Sequence, residues 1–167
     1  MPVYPLAWSA PIVETDRCLS ISGTYLYKGE RAPGGQRNVG PSIPLLVGSV
    51  FIQRPIGGVP RIVRIDHDQQ DSVIAVSVEG DGRSSPESVS FTERLTCVSG
   101  WNVYERHSSG YADGGFVSSK VENRFAKGGD GSLIVHVSYY SERREFLFLK
   151  STRHGEDWYR FPPLKEK

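Results

Sequence analysis

Acid–base, nucleophilic or metal chemistry needs side chains that converge, and this chain offers few candidates. Asp66-His67-Asp68 sets an imidazole between two carboxylates, the residue types of a metal site or an acid–base cluster. On a strand, alternation sends His67 to one face and both aspartates to the other, so the three read as a polar strand end. His136 lies mid-strand among apolar residues, with no Ser or Cys nucleophile placed beside it by a recognisable motif. Glu93 shares its face with Val89, Phe91, Leu95 and Cys97. If that face is inward, the carboxylate needs a partner or a raised pKa, because an unpaired buried charge is costly. Glu105 and His107, on the face of Trp101 and Val103, are the candidates for that partner in a structural ion pair. Asp113-Gly114-Gly115 and Gly128-Gly129-Asp130-Gly131 follow no GxxxxGK pattern and read as hairpin turns that need positive φ. The expectation is a protein that is not an enzyme and uses neither metal nor cofactor.

The elements that position these residues are strands. Ser132–Lys150 shows the pattern best: Leu133, Val135, Val137 and Tyr139 fall on one face, Ile134, His136, Ser138 and Tyr140 on the other. Glu142-Arg143-Arg144-Glu145 reads as a charged turn, and Phe146-Leu147-Phe148-Leu149 as a strand covered on both sides. Pro2, Pro5 and Pro11 exclude a regular helix from residues 1–17, which read as an extended arm. Strands follow from Cys18 to Tyr27, with Gly23 marking a bulge or close approach, and at Leu45–Gln53. Arg61–His67 and Ser72–Glu79 form a hairpin through Asp68–Asp71. Further strands are expected across Ser88–Cys97, Trp101–His107, Phe116–Phe125 and Trp158–Phe161, with a turn at His154-Gly155-Glu156-Asp157. Gly29–Ile43 is the longest loop, mildly basic through Arg31 and Arg37.

That makes nine or ten short strands at a spacing of roughly 8–12 residues with no helical period. The expected fold class is all-β: an antiparallel up-and-down barrel of about 8–10 strands, with a β-sandwich as the alternative. The expected organisation is an arm over 1–17 and one domain over 18–167. Hydrophobic residues at 38% and charged residues at 23% suit a globular domain. A formal net charge of +1 gives no electrostatic argument for nucleic acid, and no apolar run approaches a membrane span. Cys18 and Cys97 are too far apart for a CxxC motif; they either pair in an oxidising compartment or stay as two buried thiols.

Three local patterns carry a resemblance. Cys18-Leu19-Ser20-Ile21-Ser22-Gly23-Thr24-Tyr25 resembles the start of the mature part of small Gram-negative envelope lipoproteins. Leu95-Thr96-Cys97-Val98-Ser99-Gly100-Trp101 and Trp158-Tyr159-Arg160-Phe161-Pro162 look like later marks of such proteins. The Gly-Thr-Tyr strand is also similar to the Gly-x-Trp entry of lipocalin-type barrels, with Tyr25 in place of the Trp. Thr15-Asp16-Arg17 is not a lipobox, so Cys18 is not expected to carry lipid and is free to pair with Cys97. The resemblance implies a periplasmic or envelope-associated binding protein, with a cytoplasmic location as the alternative. Its expected partner is a protein, engaged as an inhibitor, an immunity-like factor or a complex accessory. The alternative is a lipocalin-like carrier of a small apolar ligand. Residues expected to bind are Arg31, Arg37, Glu93, Trp101, Tyr111 and Asp113.

Overall fold

Alternation sets the layers. In Ile62–Asp68, Val63 and Ile65 are buried while Arg64 and Asp66 are exposed, so one face of this strand is core and the other is solvent. A computed structural model describes residues 3–34, 61–80, 88–112, 114–145 and 149–164. Within these are eleven strands and no helix: β1 (Pro11–Ile12), β2 (Gly23–Leu26), β3 (Glu30–Arg31), β4 (Ile62–Asp68), β5 (Val73–Glu79), β6 (Ser88–Arg94), β7 (Thr96–Val98), β8 (Trp101–Ala112), β9 (Gly115–Gly128), β10 (Leu133–Glu145) and β11 (Leu149–Phe161). The strand expected at Leu45–Gln53, and the candidates Arg37 and Asp113, lie outside the described residues.

The strands form two antiparallel sheets. One runs β2-β4-β5-β6. The other runs β3-β11-β10-β9-β8-β7, with β1 added to β9 at Pro11↔Gly128 and Ile12↔Lys127. The all-β, antiparallel expectation is met, and β4–β6 and β7–β11 each run as a meander in which strands adjacent in the chain are adjacent in the sheet. Between the sheets lies one core: Ile21, Tyr25, Val63, Ile65, Ile74, Val76 and Val78 from the smaller side, with Leu95, Phe125, Leu133, Val135, Val137, Tyr159 and Phe161. The sheets are joined at both margins. On one, β6 runs through Leu95 directly into β7, so a single chain leaves the first sheet and enters the second. On the other, Leu26 N donates to Pro162 O and Leu164 N donates to Thr24 O, tying β2 to the segment after β11.

A disulfide between Cys18 and Cys97, with a Cα–Cα separation of 5.7 Å, fastens the approach to β2 onto β7. Asn102 Nδ2 donates to Leu19 O close by, and His67 N donates to Ser22 Oγ. Gly23 has the close approach expected of it, made by a side chain: the Tyr25 phenol folds back over it and donates to Ile21 O at 2.8 Å.

Two stretches expected as turns are strand. Glu142–Glu145 continues β10, and His154–Asp157 lies in the middle of β11. Charge did not break either strand, because neighbouring side chains neutralise it: Glu142 pairs with Arg144 on its own strand and with Lys150 across the ladder, and Arg143 pairs with Glu145 on the same strand. Gly155 stays in the ladder opposite Tyr139, whose ring lies against it. The result is a four-stranded meander, β8–β11, with strands of 12, 14, 13 and 13 residues. At ~3.3 Å per residue it is about 40 Å long, far longer than the core it covers.

Candidate functional site

The register of the meander says where each candidate points. Residues paired across an antiparallel ladder share a face, so Tyr104, Asn123, Val137 and Asp157 form one inward row. Asp157 is 0% exposed, and the Arg31 guanidinium meets its carboxylate at 3.3 Å. Arg31 is held there because β3 pairs with β11 at Tyr159↔Arg31. This candidate therefore sits in a buried ion pair between the sheets and not on an open loop.

Glu93 is inward as well, paired with Ile74 on β5 and partly buried. Burial pushes its carboxyl above the usual carboxylate range, and its charge is felt by the Tyr104 phenol, which burial also raises. The partners expected for it are elsewhere. Glu105 and His107 occupy the opposite face of β8 from Tyr104, where Lys120 meets Glu105 at 2.9 Å and His107 meets it at 3.3 Å. Lys120 and then His107 hold the Glu105 carboxyl below its ordinary value.

Trp101 belongs to the outward face, at the end of the meander that carries the core. It tilts against Trp158, with ring centroids 6.2 Å apart, and His136 stacks on the other side of that indole at 4.2 Å. The arm crosses this face: Tyr4 sits edge-on to Trp158 at 5.1 Å and to Trp8 at 5.9 Å. Burial lowers the His136 pKa, and Glu156, 3.6 Å from Nε2, opposes that only in part. The imidazole is a packing partner for Trp158; no nucleophile stands beside it among the described residues.

Beyond the core, the outward face is a ladder of paired charges. Glu105, Glu122, Ser138 and Glu156 form one row, and His107, Lys120, Tyr140 and His154 the next. Glu142 is held at about 2 by Lys150 and Arg144, and it also accepts the Tyr140 hydroxyl. The last row is different in kind: Tyr111, Phe116, Arg144 and Lys150. Tyr111 is 88% exposed and meets Phe116 edge-on at 5.4 Å, while Leu149, one position before Lys150 and so on the opposite face of the sheet, is 66% exposed. Leu149 thus departs from the expectation of a strand covered on both sides.

The four expected binding residues that are described do not form one cluster. Arg31 and Glu93 point inward, Trp101 lies on the opposite face, and Tyr111 stands at the far tip. The tip's other members, Phe116 and Leu149, escaped the sequence reading. Phe116 was within reach: it lies as far after the two-residue turn as Tyr111 lies before it, and so pairs with it. His67 lies on the opposite face from Asp66 and Asp68 as expected, and that face is the inward one; Ile21 N donates to its Nδ1, as a neutral ring with the proton on Nε2 allows. Among the described residues no group of three or more His, Cys, Asp or Glu side chains is placed to hold a metal ion. No helix there is long and apolar enough to cross a membrane. No protein-family model, curated protein sequence or solved structure matches this chain.

Proposed function

We propose that this is a non-enzymatic binding protein that acts through a protein partner, docked on the projecting end of the β8–β11 meander. One observation carries the reading. Among the described residues the four strands run well past the core, and at their end Tyr111 on one face and Leu149 on the other are 88% and 66% exposed. Exposed apolar side chains gathered at one tip mark a docking surface more often than a stability device. Flanking Arg144 and Lys150, with the charge ladder behind, give such a surface the polar rim of a protein interface. An envelope setting fits the Cys18–Cys97 disulfide, which belongs to oxidising compartments, and the resemblance of Cys18–Tyr25 to envelope lipoproteins. An inhibitor, immunity-like or accessory role follows from the same features. The carrier alternative draws no support from the interior, where Tyr25, Phe125, Tyr159 and Phe161 fill the space between the described sheets.

The test is site-specific photo-cross-linking in the cells that make the protein. A photoreactive residue in place of Tyr111 is expected to capture one discrete polypeptide, and the same residue in place of exposed Leu6 on the arm is not. Capture from both positions alike, or from neither, contradicts a tip interface.

A further inference from the structure

The way β7 ends leaves a strand's worth of β8 backbone without a strand partner among the described residues. β7 pairs with β8 only over Thr96↔Val103, Cys97↔Asn102 and Val98↔Trp101. At Leu95 the chain turns away, its amide donating to Ser72 O beside β5, and continues as β6 of the other sheet. From Tyr104 onward the outer margin of β8 has no strand partner among the described residues. Glu105 and His107 through Tyr111 are all exposed.

Hairpin register identifies the open groups. Ala112 and Gly115 flank a two-residue turn and therefore form a hydrogen-bonded pair with each other, as do Gly110↔Val117 and Ser108↔Ser119. The alternate residues Glu105, His107, Ser109 and Tyr111 then direct their N–H and C=O groups away from β9. The β7–β8 hairpin agrees, since its own two-residue turn, with positive φ at Ser99 and Gly100, places Trp101 and Val103 in the outward set. Four consecutive outward residues supply the backbone pairing of an added strand.

The devices that usually protect an edge are missing here. No proline interrupts β8, and its one carboxylate, Glu105, is drawn back over the sheet by Lys120 on β9. A recess of ≈ 340 Å³, lined by Arg94, Thr96, Val98, Val103, Tyr104 and Glu105, opens where β7 departs, placed to take a side chain of an incoming strand. Arg94 and Arg106 flank this margin, and neither is in an ion pair among the described residues. A second copy laid on the same edge would add its own arginines, while the one carboxylate of its β8, Glu105, is already paired with Lys120. An acidic segment would meet both.

We propose that the edge of β8 from Glu105 to Tyr111 receives an extended, acidic segment of the protein partner as an added strand. This rests on the protein-binding reading above and specifies its mode. The probes are two capped decapeptides, one alternating valine with glutamate and one alternating valine with lysine, added to the full chain. The glutamate peptide is expected to bind, slowing exchange of the Glu105, His107, Ser109 and Tyr111 amides about tenfold. Ser109→Pro removes one outward N–H and leaves the ladder to β9 intact; it is expected to weaken binding about tenfold. The double change Arg94→Glu and Arg106→Glu, which spares the backbone, should invert the preference towards the lysine peptide. Unchanged exchange at the four amides, or equal binding by all variants, overturns the proposal. So does protection that grows with protein concentration alone, which assigns the edge to a second copy. Should the peptides fail while cross-linking from position 111 still captures a polypeptide, edge pairing falls and the protein-binding reading stands.

Discussion

Asp157 is the residue on which the interior depends most clearly. A carboxylate with no exposure is tolerable because Arg31 reaches it, and removing one member of such a pair strands the other's charge. Asp157→Ala is expected to cost about 2–4 kcal/mol in chemical denaturation, with Arg31→Met in the same chain recovering part of it. The buried imidazoles predict a pH response. Burial lowers the pKa of both His67 and His136 below the ordinary 6.5, so the unfolded chain takes up these protons first as pH falls. Their contribution is complete above 6.5 and is lost below it, down to the folded-state values. Urea midpoints should therefore drop between neutral pH and pH 5, and His136→Gln should flatten the profile. Which residues share a face was legible from alternation, His67 against the two aspartates and Glu93 with its apolar neighbours, while which face turns inward was not. Nor were their partners. Asp157 and Arg31 are 126 positions apart, and only the β3–β11 pairing brings them together.

At the scale of elements, the disulfide and the arm stitch one end of the molecule. The Cys18–Cys97 bond closes a span of 79 residues across two sheets. Replacing both cysteines with serine is expected to cost about 2–5 kcal/mol, read from denaturant midpoints with and without reductant. Gly100 is the tightest point of this end. Its φ is +81°, and a Cβ there would strike the Glu14 carbonyl of the arm, so this position admits glycine alone. Strand existence was plain in the sequence, while strand length was not. Glu142–Glu145 and His154–Asp157 have turn composition, yet both lie within strands because their charges find partners along the strand or across it and Gly155 finds Tyr139. Local preference yields to pairing when four strands share one register.

For the whole molecule, the two sheets close over one core, and the meander then continues past it. That excess length has no structural use visible in the core and ends in exposed Tyr111, Phe116 and Leu149. Composition could not reveal this, because the same residues would serve equally well as core filler; only the register shows that they lie beyond the core. The most direct measurement is native mass spectrometry of the protein recovered from its own cells, beside the double variant Tyr111→Ser and Leu149→Ser. Both positions are exposed, so the variant should keep its stability within about 0.5 kcal/mol and serve as a folded control. The account predicts a stoichiometric second polypeptide on the unaltered protein and its loss from the variant. A small apolar adduct on both, or a second polypeptide retained equally by both, would contradict it.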